Sequence, residues 1–155
     1  APLLAELGIP WTLFVVTGWA DGCHPFGEDV LLGWRDIERL AQQGATIASH
    51  SVTHPNFARL DREGAMQELV ESRQTLAARV GICTTEFAIP MGQSHDWTDV
   101  AHTAALAAGY QTVYAQSVQR RHPRTVARTF VTRFDGSRLF RAALRGSYDG
   151  WEEWV

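Results

Sequence analysis

Two histidines four residues apart, His50 and His54 in the string Ser49-His50-Ser51-Val52-Thr53-His54-Pro55-Asn56, are the most chemically pointed pair in the chain. Four-residue spacing aims both rings at one point if the segment between them makes a single helical turn. Neutral imidazoles suit Zn²⁺, Co²⁺, Ni²⁺ or Fe²⁺, and two of them with one carboxylate leave positions open for water and substrate. The hydroxyls of Ser51 and Thr53 stand where they can orient such a turn. Taken alone, the spacing also fits surface or capping histidines. Its place directly after a strand and before Pro55 favours the metal reading. His24 and His95 fall in loops at strand ends, where they can touch substrate, whereas His102 falls inside a helix and reads as structural. Pro90 and Gly92 supply a rigid position and one without a side chain, where backbone can approach a ligand.

Strands must deliver these residues to a common edge. The apolar, β-rich run from Trp11 to Val16, bounded by Pro10 and Gly18, predicts a strand buried on both faces, and so a central parallel strand. A loop from Gly18 to Gly33 leads to a helix with Trp34, Ile37, Leu40 and Ala41 on its apolar stripe, closed by Gly44. A strand over Ala45–Ala48 ends at His50, and a helix starting at Asp61 runs to Gly81 with apolar residues three and four apart. The pattern repeats as a strand over Glu86–Ile89, a helix from Thr98 to Ala108 stopped by Gly109, and strands over Thr112–Ala115 and Arg128–Val131. Such β-α alternation predicts a parallel sheet with right-handed crossovers, open or part of a (β/α) barrel, with the candidate residues at strand C-terminal ends. The opening Leu3-Leu4-Ala5-Glu6-Leu7-Gly8 reads as the end of a helix already under way, so a preceding segment is expected.

At 155 residues, 45% hydrophobic and 20% charged, the chain predicts one globular domain over 1–155 and excludes disorder. No run approaches the roughly 20 apolar residues needed to cross a bilayer, so no membrane segment is expected in it. Net charge is −3 but uneven: residues 116–146 hold eight Arg against Asp135 alone, and there is no Lys. A negative total without a nucleic-acid-binding motif argues against a nucleic-acid partner, and leaves solvated faces and salt bridges as the reading of the arginines. Cys23 and Cys83 form no C-x-x-C pair, which argues against a thiolate metal site and leaves one disulfide open.

The His50 string resembles the second motif of the polysaccharide deacetylases, the NodB homology domain of carbohydrate esterase family 4. The resemblance continues through Leu7-Gly8-Ile9-Pro10-Trp11-Thr12-Leu13-Phe14-Val15-Val16 and from Leu32-Gly33-Trp34-Arg35-Asp36 to Gly44. It also takes in Phe87-Ala88-Ile89-Pro90-Met91-Gly92, which matches the third motif, and Ala108-Gly109-Tyr110-Gln111-Thr112. It implies an incomplete, distorted (β/α) barrel with mainly parallel strands, truncated at its N-terminus. The implied activity is metal-dependent removal of N-acetyl or O-acetyl groups from an acetylated carbohydrate polymer. A divalent metal, Zn first among them, would sit on His50 and His54, with Ser51 and Thr53 supporting the motif. Pro90, Met91, Gly92, His95 and His24 would face substrate, and Trp34, Trp97, Trp151 and Trp154 are candidates for stacking on sugar rings, with a core position favoured for helix-borne Trp34.

The family's first motif, two Asp at a strand end that provide the catalytic base and the third metal ligand, is expected upstream of Ala1, since the chain has no Asp-Asp pair. The catalytic residues are therefore unassigned, and residues 1–155 alone are expected to be inactive. Ala88 stands where many members carry an Arg that buttresses the base, and no Leu-x-His motif supplies a general acid. Arg128 resembles a family Arg entering a late strand. The alternative reading is a noncatalytic carbohydrate- or metal-binding module of the same fold. The resemblance points to the cell envelope or the exterior as the location.

Overall fold

The computed structural model describes residues 2–24, 31–116, 122–128, 131–132 and 134–147. Within them β1 (Thr12–Val15), β2 (Thr46–Ser49), β3 (Glu86–Ala88), β4 (Thr112–Ala115) and β5 (Thr125–Ala127) form one sheet in chain order, every neighbouring pair parallel. The helices are α1 (Pro2–Glu6), α2 (Thr17–Ala20), α3 (Trp34–Gln42), α4 (Arg62–Val80), α5 (Asp99–Ala107) and α6 (Ser137–Leu144). Strands that succeed one another in space as they do in sequence, with no reversal, wind as an arc of a (β/α) barrel; a doubly wound sheet would reverse its order.

Local chemistry sets the element ends. Asp61 caps α4 by accepting from Gly64 N at 2.8 Å, and Gly81 stops it in the left-handed region, φ +71°. Thr98 caps α5 through Ala101 N at 3.2 Å. Helices α3, α4 and α5 pack on one face of the sheet. Leu69 and Ala65 of α4 enter a cluster with Phe57, Phe87, Trp97 and Tyr110, while Leu76 of the same helix enters a second with Val15, Ile37 and Ile47. Between the two, the Ser72 hydroxyl lies 2.8 Å from Ser49 Oγ and 3.3 Å from the Tyr110 hydroxyl.

On the opposite face, Phe14 of β1 and Tyr114 of β4 meet with ring centroids 5.1 Å apart. Two strands separate them, which in a flat sheet means roughly 14 Å. Those strands offer only Ala48 and Ala88 there, both fully buried, so the sheet curls until the rings touch above two methyl groups.

Three expectations need correction. Among the described residues the run Trp11–Val16 is not central: β1 is an edge of the five-stranded sheet, because an apolar run reports which faces are covered and not whether a strand has two lateral neighbours. The fifth strand is Thr125–Ala127 instead of 128–131, of which 129 and 130 lie outside the described residues. Its register is set by Val113 pairing with Thr125, and Arg128 N–H adds one last bond to Ala115 O at 2.6 Å. The loop expected to begin at Gly18 starts instead with α2, and α6 was not foreseen. The question of a disulfide, left open by the sequence, is answered: Cys23 and Cys83 are both free and exposed.

Candidate functional site

His50 follows the last residue of β2, and its backbone N–H extends the ladder to Val15 O at 2.9 Å. The chain then turns without becoming helical, which corrects the expected single helical turn. Ser51 and His54 both take left-handed backbone, φ +72° and +61°. This conformation is uncommon for residues other than Gly and costs about 1–3 kcal/mol each. Side-chain oxygens hold it in place. Ser51 Oγ accepts from His54 N at 2.9 Å, and Glu68 of α4 accepts from Val52 N at 2.8 Å, Thr53 N at 3.0 Å and the Thr53 hydroxyl at 2.7 Å.

The turn brings the two imidazoles together edge to face, centroids 4.8 Å apart. His50 Nδ1 lies 2.8 Å from Ala88 O; a carbonyl only accepts, so Nδ1 carries the proton and Nε2 keeps a free lone pair. Trp19 of α2 stacks on the His54 ring at 5.1 Å. Burial is the main reason the His50 pKa falls to about 4, and the charges of His54 and Arg128 press the same way. Burial also lowers His54 and His102 from their ordinary range. Both candidate ligands are therefore neutral imidazoles at neutral pH. Two of them make half of a tetrahedral set, and among the described residues no cluster of three His, Cys, Asp or Glu is placed to hold a metal.

The shifts set a pH dependence. A histidine held below 6.5 in the folded chain gains a proton more readily when unfolded, so stability declines as pH falls from 6.5 towards 4. His50 alone accounts for up to about 3 kcal/mol across that window. Denaturant midpoints with chelator present should drop between about pH 7.5 and pH 4.5, and His50→Ala should flatten the drop. Equal midpoints at both values would sink the expectation.

Close approach of backbone fixes the other side of the turn. Gly18 N–H donates to Val52 O at 2.9 Å, and a Cβ at Gly18 would lie 2.7 Å from that same oxygen. Gly18→Ala should therefore cost about 1–3 kcal/mol. Nothing lies within 4 Å of a Cβ built at Gly33, so Gly33→Ala serves as the control. Equal unfolding midpoints for the two variants would remove this contact from the account of the turn.

The loop after β3 carries the other expected site residues. Pro90 and Gly92 are buried and shape the loop, whereas Met91 is 42% exposed. Met91 and Gly92 are left-handed, φ +62° and +86°, and a Cβ at Gly92 would crowd Gln116 N at 3.2 Å. Asp96, 2% exposed, accepts from Gln93 N and Asn56 Nδ2, tying this loop to the one that follows His54. His95 is exposed with Nε2 3.5 Å from Asp96 Oδ1, and His24 is half-buried. Trp97 is buried in the cluster with Phe57 and Phe87, and Trp34 packs against the other cluster, while Trp151 and Trp154 lie outside the described residues. His102 is buried and stacks on His122 at 4.3 Å.

Sequence reading missed Glu68, Trp19 and the placement of Arg128. The Arg128 guanidinium lies over the Phe14 ring, 5.6 Å from its centroid, close enough to His50 to depress its pKa. Its Nε is buried without a partner among the described residues. The usable signal for Glu68 was an acidic residue flanking the stripe of Ala65, Leu69 and Ser72.

The family model described as polysaccharide deacetylase matches residues 1–113. A de-N-acetylase from Aggregatibacter actinomycetemcomitans aligns over 90% of this chain and 67% of its own, at 18% identity and TM-score 0.74. A Streptococcus pyogenes deacetylase solved with acetate aligns over 75% and 48%, at 21% identity and TM-score 0.67. A protein described as a CE4 family pseudoenzyme from Bacillus anthracis aligns over 72% and 35%, at 18% identity and TM-score 0.58. At these identities the likeness establishes the fold, and the chain spans between about a third and two thirds of the structures it matches.

Proposed function

The chain belongs to the polysaccharide deacetylase family, matched through residues 1–113, and from that premise we propose that it is part of a metal-dependent hydrolase. Its substrate is an acetylated carbohydrate polymer that loses N-acetyl or O-acetyl groups. The observation that carries the reading is the convergence of His50 and His54 at 4.8 Å beside the end of β2, with His50 Nε2 left free. These two residues would hold a divalent cation, Zn²⁺ first among them, which when bound supplies Lewis acidity at an acyl carbonyl and a more acidic water. His50 stays neutral, and so a competent ligand, down to about pH 4. Trp19 fixes the plane of His54, and Met91, with His95 and His24, offers side chains to the substrate.

Third ligand and base are proposed to arrive on a strand that pairs with the free edge of β1, carrying the Asp pair the resemblance implies. Two observations support that place. The run Trp11–Val16 is apolar on both faces although β1 lies at an edge. A cavity of about 220 Å³ is lined by Leu13 and Val15 from one face of β1, Phe14 and Val16 from the other, and His50, so it wraps that edge beside the site. Arg128, desolvated and without a partner at Nε among the described residues, is proposed to buttress the base in place of the Arg that Ala88 replaces.

A second reading, a noncatalytic module, draws support from Ala88 and from the pseudoenzyme among the structural neighbours. Acetate release from acetylated chito-oligosaccharides, with and without chelator, separates the two. Chelator-sensitive release by the chain together with its preceding segment is the expected result, and none with that segment present favours the module.

A further inference from the structure

We propose that Glu68 is the positioning residue of the His50–His54 turn, an inference that rests on reading the turn as a metal half-site. None of the backbone N–H groups from Ser51 to His54 finds a main-chain acceptor in the sheet or a helix; each is taken by a side-chain oxygen. Ser51 N donates to Ser49 Oγ at 3.4 Å, Val52 N and Thr53 N to Glu68 Oε2 at 2.8 and 3.0 Å, and His54 N to Ser51 Oγ at 2.9 Å. The Thr53 hydroxyl occupies Glu68 Oε1 at 2.7 Å. Three side chains thus dictate a backbone path that includes two left-handed residues, and Glu68 supplies both central bonds from outside the turn.

Helix α4 makes the acceptor rigid. Leu69 follows Glu68 and Ala65 lies three residues before it, each at most 1% exposed, so the carboxylate springs from a helix pinned in the core. Its aim at Val52 and Thr53 fixes where the second imidazole lies relative to the first. Without it, the two central amides turn to water, the left-handed residues relax, and the rings lose their shared point. Glu68 is bonded to the backbone and the Thr53 hydroxyl between the rings, and acts through that segment.

Chemistry separates shape from charge. In Glu68→Gln the amide oxygen can still accept from both N–H groups, and its NH₂ can donate to Thr53 Oγ1, whose own hydrogen turns away. Glu68→Ala keeps none of the three bonds. Two readouts on the full chain test the proposal, amide hydrogen exchange without metal and calorimetric titration with Zn²⁺ alone. Exchange at Val52 and Thr53 should accelerate at least tenfold in Glu68→Ala and stay near wild type in Glu68→Gln. Zn²⁺ affinity should fall at least tenfold in the Ala variant and less than threefold in the Gln variant. Val70→Ala, which loosens α4 away from the turn, should leave it unchanged. Unaltered amide protection in Glu68→Ala would overturn the positioning role whatever the metal does. If wild type binds Zn²⁺ no better than His50→Ala/His54→Ala, the half-site reading fails instead, and the exchange data still decide whether Glu68 holds the turn.

Discussion

Acetate release by the chain together with an upstream Asp-Asp strand should fall to background when His50 becomes Ala. Removing a ligand should cost more than the roughly 10–100-fold that follows loss of a hydrogen-bonding group behind a ligand. Folding should be nearly unaffected. Among the described residues the His50 side chain makes one hydrogen bond, Nδ1 to Ala88 O at 2.8 Å, worth about 1 kcal/mol. His54→Ala should behave alike, with the Trp19 stack lost as well. Residues 1–155 alone should release negligible acetate, since two imidazoles without a base give neither a full ligand set nor a proton acceptor. Circular dichroism controls for folding. Strong release from 1–155 that ignores chelator would overturn the mechanism, because no other group in the described chain forms a recognisable nucleophile, base and orienting partner.

Phe87→Ala should bring the largest loss of stability, about 3–5 kcal/mol. The ring is fully buried, with centroids of Phe57, Trp97 and Tyr110 at 5.6, 5.7 and 5.2 Å. Phe57 opens the 3₁₀ turn after His54, and Trp97 closes the one after Pro90, so a cavity at position 87 loosens both flanks of the site. Against a typical total of about 5–15 kcal/mol the variant would be partly unfolded near 37 °C. Leu144, 72% exposed, gives the contrast: its Ala variant should stay within about 0.5 kcal/mol of wild type. A denaturant series showing less than about 1 kcal/mol for Phe87→Ala would refute the packing argument.

Much of the frame was legible because its punctuation is local. Asp61 and Gly81 mark α4 to within a residue, since a cap and a left-handed stop depend on neighbours in sequence. Strand identities followed from apolar runs, and their parallel pairing from the helices between them. What depends on lateral placement was not legible. The sequence of β1 is the same whether one strand or two lie beside it, and the fifth strand was displaced because Arg128-Thr129-Phe130-Val131 is more β-like than Thr125-Val126-Ala127, which pairs. At the site the two rings lie edge to face, but without the helical turn that the four-residue spacing suggested. Their convergence comes from two left-handed residues and a carboxylate fifteen positions from Thr53, which no periodicity contains.

Helix α4 reaches into both apolar clusters, through Leu69 in one and Leu76 in the other. That makes the two halves of the sheet a single cooperative unit, since neither can open without withdrawing a residue of a helix the other retains. The histidine turn hangs from the same helix. Glu68 bonds the turn to that helix, so any opening of the turn that carries α4 with it must break both clusters at once.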